Sequence, residues 1–204
     1  GTCGMISQDS AAAILAALTG FVADSAALGA GSESAGVPVP ALVAQLRNHV
    51  GGEAARYIHW GATSQDIIDT ALVLVLRETI AGFETALERL VTALATMARA
   101  HADTVMLART RMQQAAPTTF GLKVAGWRAP LVRNRERLDQ LKSRLLVAQL
   151  GGAAGTLAPL GDRAGDVRVA FAGELGLGLT AMPWHTQRDS LGEFADWLTL
   201  TTDA

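Results

Sequence analysis

Residues 59–80 read HWGATSQDIIDTALVLVLRETI. A polar, glycine-containing start gives way to an apolar run. From Ser64 to His101 there is no proline, and the only glycine is Gly82. Apolar residues return at Ile68, Leu72, Val75, Phe83, Ala86, Leu90, Leu94 and Met97, which is the spacing of one helix face. The spacing predicts a single helix about 55 Å long, at about 1.5 Å per residue. Its segment ALVLVL (71–76) is apolar all round and is expected to be buried on several sides. One small domain cannot bury such a helix, whereas a bundle shared between subunits can. The expected fold class is therefore all-α, a long-helix bundle.

Upstream, Ser7 is placed to cap a helix running to about Gly29. LGAGSESAGVPVP (28–40) reads as a loop, and Pro40 as the opening of a short helix that ends near Gly51-Gly52. Downstream, HADTVMLARTRMQQAA (101–116) reads as a polar loop. Pro117 suits the first turn of a second long helix, which reaches to about Leu150. Pro130 inside it removes a backbone bond and predicts a kink near Trp127. GGAAGT (151–156) reads as a tight turn, since it lacks the Gly-Lys-Ser/Thr ending of a phosphate loop. Two shorter helices are expected, at about 162–175 and 187–202. No strand is expected. The division expected is a partial N-terminal helical domain, 1–62, and part of a central long-helix domain, 63–204.

The chain has 204 residues, 50% of them hydrophobic and 18% charged, with a net charge of −2. Nothing in that balance suggests a nucleic-acid partner. No stretch reaches the ~18 apolar residues of a membrane span. The single cysteine, Cys3, excludes an intrachain disulfide and fits a reducing, cytoplasmic setting. The opening GTCGMISQDS lacks the basic start of a secretion signal. The first residue is not Met and the closing TLTTDA stops in mid-pattern, so a fragment of a longer chain is expected.

Three clusters carry candidate chemistry. In GATSQD (61–66), Thr63, Ser64 and Asp66 are good helix caps. A helix start also presents free N–H groups and partial positive charge, so the same hydroxyls could complete a carboxylate cradle, with His59 as a further donor. In ARTRMQQAAPTTFG (108–121), Arg109 and Arg111 share one side if the backbone is extended, and Gln113, Thr118 and Thr119 add neutral donors. The alternative there is a solvated loop. In MPWHTQRD (182–189), His185 and Arg188 lie three apart near an expected helix start; a structural His and a surface ion pair are the alternative. The four histidines, 49, 59, 101 and 185, have no metal-ligand spacing, so no metal is expected. No Gly-x-Ser-x-Gly elbow is present, which disfavours a serine hydrolase.

HWGATSQDIIDT resembles the first motif of the fumarase/aspartase superfamily, and ARTRMQQAAPTTFG its second. With QLGGAAGTLAPLGDR and PWHTQRD, the resemblance narrows to the cycloisomerases that lactonise 3-carboxy-cis,cis-muconate in protocatechuate breakdown. It runs from about residue 5 to the end. It implies a cofactor-independent enzyme acting on a small tricarboxylate. It also implies a homotetramer whose active sites form where three subunits meet. The roles implied are Thr63 and Ser64 holding one carboxylate, Arg109 or Arg111 clamping another, and Gln113 and Thr118 orienting the substrate. Ser64, Arg111 and His185 are the catalytic candidates, with His185 as acid or donor. His59, Gln65, Thr110 and Arg188 complete the expected binding set, while Asp66 and Asp69 are expected to cap and order. Two departures stand out. The lyases carry a His where this chain has Arg111, which argues against an adenylosuccinate lyase. The third motif, which carries the usual base, has no counterpart. A β-elimination lyase of the adenylosuccinate type, or an inactive helical module, remain the alternatives.

Overall fold

The computed structural model describes residues 1–204. Seven helices dominate: α1 (Gln8–Leu18), α2 (Ser25–Ala35), α3 (Val39–Val50), α4 (Ser64–Ala100), α5 (Phe120–Leu145), α6 (Ala164–Leu175) and α7 (Asp189–Thr202). Four short strands accompany them: β1 (Val105–Thr110), β2 (Gln113–Thr119), β3 (Val147–Ala148) and β4 (Gly178–Leu179). The chain divides into two compact units, one of residues 1–74 and 146–187, the other of residues 75–145 and 188–204. These units interleave along the chain.

In the first unit Ser7 caps α1, accepting a bond from the Ser10 N–H. The expected single helix to Gly29 is two helices instead. The break precedes Asp24, whose carboxylate accepts the N–H groups of Ala26 and Ala27 and restarts the chain as α2. The glycine- and serine-rich stretch after residue 28 is thus helical to Ala35, a case of capping and packing overriding weak propensity. Gln45 of α3 exchanges two bonds with the backbone of Asp24, at 2.8 and 3.2 Å. Leu150, Leu157 and Leu160 form a small buried cluster, against which Met5, Val167 and Phe171 pack.

The second unit contains most of α4, with α5 and α7. Val124, Leu131, Leu138, Leu141 and Leu145 face inward along α5 and are buried. Pro130 lies within the continuous helix. Trp197 of α7 is 2% exposed, and its indole N–H donates to the Asn134 carbonyl at 2.8 Å. Its ring meets Phe83 edge-on at 5.3 Å and stacks on Phe194 at 5.7 Å. The Asn134 amide donates in turn to the Leu200 carbonyl, so a buried polar side chain is satisfied.

Two expectations are corrected. The 101–116 loop and the start placed at Pro117 are an antiparallel hairpin, β1 with β2. Strand propensity is weak in ARTRMQQAA, and only pairing across a tight turn satisfies its backbone. The second long helix begins at Phe120, where the Thr119 hydroxyl accepts the Leu122 N–H. It ends at Leu145, because Val147 and Ala148 pair in parallel with Gly178 and Leu179. In the chain by itself, Leu72 and Val75 of the all-apolar segment are 39% and 61% exposed, while Val73 is enclosed.

Candidate active site

The start of α4 is built around Asp66, which is 0% exposed. Its carboxylate accepts four N–H bonds, all at 2.9 Å: from the Thr63 backbone, the Gln149 side chain, and the backbones of Gly151 and Gly152. The first satisfies a donor that any helix start leaves open. The last two come from the GGAAGT turn, which therefore closes on an internal carboxylate. Gly152 has φ +67° there, and a Cβ on it would lie 2.7 Å from the Gly61 carbonyl oxygen. A glycine is required on both counts. A buried carboxylate is costly unless fully bonded, and this one is.

Gln149 ties the rest together. It is 0% exposed. Its side-chain oxygen accepts the Trp184 backbone N–H at 2.6 Å, and its amide nitrogen lies 3.3 Å from His185 Nδ1. Its backbone N–H donates to the Thr70 hydroxyl, which donates back to the Gln149 carbonyl. Of the expected residues, this unit therefore brings His185 into a network with the first turn of α4. Thr63 and Ser64 are half-buried there, and their hydroxyls enter none of these bonds. Gln65 donates to the Asp69 carboxylate at 2.8 Å. His59 is half-buried with φ +64°, and its Nε2 is enclosed without a hydrogen-bond partner.

The other unit holds Arg109, Thr110, Arg111, Gln113, Thr118 and Arg188. Thr110 pairs with Gln113, which leaves Arg111 and Met112 as a two-residue turn with φ +45° and +62°. Both angles are left-handed, the pattern of a type I′ hairpin turn, where Asn-Gly is the usual pair. Arg109 is in the strand and Arg111 in the turn, so the shared-side argument from extended backbone does not apply. Arg109 and Thr118 line one cleft of about 410 Å³ with Met106, Leu107, Ala108, Leu122 and Lys123. Arg188 is exposed and immediately precedes α7.

Two residues of these sites were not expected from sequence. Lys123 reads as an ordinary helix lysine, yet it lines the cleft with Arg109, its ammonium 5.6 Å from the Trp127 ring centre. Gln149 was read as the tail of a helix. The available signal was a lone amide in an apolar run, LLVAQLGG, just ahead of two glycines. Nowhere do three or more His, Cys, Asp or Glu side chains converge as a metal site.

Comparison with known proteins accords with this architecture. A family model described as "Lyase" matches residues 2–203. A 3-carboxy-cis,cis-muconate cycloisomerase of Pseudomonas aeruginosa is 48% identical over 200 residues, covering 97% of this chain and 44% of that protein. The crystal structure of a 3-carboxy-cis,cis-muconate lactonizing enzyme from Pseudomonas putida superposes with TM-score 0.92 at 45% identity, over 98% of this chain and 46% of the other. That of a fumarate lyase from Mesorhizobium sp. BNC1 gives 0.94 at 44% identity, over 98% and 47%. The chain thus spans a little under half the length of the relatives it matches. By the match over residues 2–203 and by its long helices, the chain belongs to the lyase family and has the all-α, fumarase/aspartase type of fold.

Proposed function

We propose that this chain contributes to a cofactor-independent cycloisomerase that lactonises 3-carboxy-cis,cis-muconate in protocatechuate catabolism. The observation that carries the reading is the 48% identity with the P. aeruginosa cycloisomerase across nearly the whole chain. Arg111 in the hairpin turn, where the superfamily lyases are expected to carry a His, favours the cycloisomerase over the adenylosuccinate reaction. A cytoplasmic homotetramer with shared active sites belongs to the same reading, and the exposed Leu72 and Val75 are suited to a helix interface between subunits. So does the division into an N-terminal domain, 1–62, and a central domain, 63–204.

In the reaction, a carboxylate oxygen of the substrate bonds to a carbon of its own C=C. The π pair moves to the neighbouring carbon, is held as an enediolate on the adjoining carboxylate, and takes a proton. The barrier falls when fixed donors face that developing charge. Ser64 and Thr63, at the positive end of α4, hold one carboxylate with His59 and Gln65 beside them. Arg109 or Arg111 clamps another, since a guanidinium matches a carboxylate at two points. Thr110, Gln113, Thr118 and Arg188 orient the substrate, and His185 supplies a donor.

The test is the loss of 3-carboxy-cis,cis-muconate absorbance without added metal, beside an adenylosuccinate control. It is run on this chain and on one extended through the third superfamily motif. Selective lactonisation by either supports the reading. Cleavage of adenylosuccinate alone, or no turnover by the extended chain, overturns it. In the active form, Ser64→Ala should lower turnover far more than stability; unchanged kinetics would remove Ser64 from the site.

A further inference from the structure

We infer that Gln149 is a positioning residue that fixes the tautomer of His185, leaving the ring proton on Nε2 as a donor. The role for that donor rests on the proposed cycloisomerase reading; the tautomer itself does not.

The orientation of the Gln149 amide is settled by its other partners. The Trp184 N–H is a donor, so the atom 2.6 Å from it is the amide oxygen. The Asp66 carboxylate, already receiving three backbone N–H groups, is an acceptor, so the atom 2.9 Å from it is the amide nitrogen. Reversing the amide would set oxygen against carboxylate and N–H against N–H at once. The side chain is fully buried, so water cannot compensate for that. One proton of the amide nitrogen serves Asp66, and the other is left for His185 Nδ1, 3.3 Å away. A donor there needs a lone pair opposite it. Nδ1 must then be the unprotonated nitrogen, and the ring proton sits on Nε2. The charged group behind this contact is Asp66, reached only through the amide.

The chemical consequence is specific. A neutral imidazole with its proton on Nε2 stabilises an enediolate by donating a hydrogen bond. It does not hand over a proton, since that would leave an imidazolate. His185 is thereby assigned the donor half of the role first expected for it, and the proton reaching carbon comes from another group. The alignment depends on residues 66, 149, 184 and 185, and the position that joins them is Gln149.

The test is long-range ¹H–¹⁵N correlation on protein labelled at histidine, near pH 8, with the His185→Gln variant identifying the signals. The expected result is one tautomer: Nδ1 at the frequency of an unprotonated ring nitrogen and Nε2 at that of a protonated one. A protonated Nδ1, or an average of two tautomers, overturns the inference whatever the catalytic activity. Gln149→Met sharpens it. In folded variant, checked by circular dichroism, the ring should relax to a tautomer mixture; an unchanged ring would remove Gln149 from the role. A single Nε2–H tautomer in an extended chain inactive on muconate would overturn the cycloisomerase reading and leave this assignment standing.

Discussion

At the start of α4 the Asp66 carboxylate is enclosed and meets four N–H donors, whereas at the tip of the β1–β2 hairpin the Arg111 guanidinium stands in solvent beside Met112, 92% exposed. Both regions matched chemical motifs in the sequence, but they use charge differently. Asp66 is committed to holding two distant segments of chain together and has no capacity left for a substrate. Arg111 is committed to nothing around it and keeps its fork of donors available. A charge built into a fold is read from its partners; a charge kept for a ligand is read from its freedom and from what the backbone gives up to present it.

The sharpest way to break the contrast is Asp66→Ala. It leaves four buried N–H donors facing an apolar side chain, and stability should fall by about 3–5 kcal/mol, since each buried donor left unpaired costs about 1–3 kcal/mol. Urea unfolding measures it, and a change below ~1 kcal/mol would mean that the knot is replaceable by water. Arg111→Ala is the complementary case. Turnover by the active enzyme should fall by about 10²–10³-fold, as for a lost donor to developing charge, while stability moves by no more than ~0.5 kcal/mol, as for an exposed site. An equal loss of both would make Arg111 structural. Met112→Gly should raise stability by about 1 kcal/mol, by relieving one left-handed non-glycine residue, with the shift in unfolding midpoint as readout.

The smallest effect concerns pH. Glu193 of α7 is hydrogen-bonded to the Arg144 guanidinium of α5, which holds its carboxyl below the usual range; Asp139 is held down likewise by Lys142. A lowered carboxyl stabilises above its unfolded pKa, about 4.3 for Glu and 3.9 for Asp, and that contribution disappears as pH falls through the lower folded value. Thermal melts should therefore decline below about pH 4, and Arg144→Met should flatten the part due to Glu193. A variant that keeps the full slope would assign the decline to other carboxylates.

The sequence was informative where its physics is local. The 3.6-residue spacing located α4 to within a residue of its observed ends, Ser64 and Ala100. Pro130 lies inside α5 without ending it. The hairpin was missed because its turn is made by Arg111 and Met112, neither of which advertises φ > 0, and because Pro117, apparently a helix opener, lies in β2. The break between α1 and α2 was missed because the Asp24 cap is visible only once Gln45 is seen to hold it. Family resemblance pointed to the α4 start, but the role of Gln149 depends on Asp66 and His185, 83 and 36 positions away. No local pattern encodes such a relation.

The Asp66 knot also sets an order in time. Three of its four donors come from residues 149–152, which follow it by 83 to 86 positions. A ribosome adding about 5–20 residues per second needs roughly 4–17 s to supply them. Throughout that interval the Asp66 carboxylate has only its local donor, the Thr63 N–H, and water to serve it. The full set of four bonds cannot form before residue 152 has been added, so the first turn of α4 waits on a segment more than 80 residues downstream.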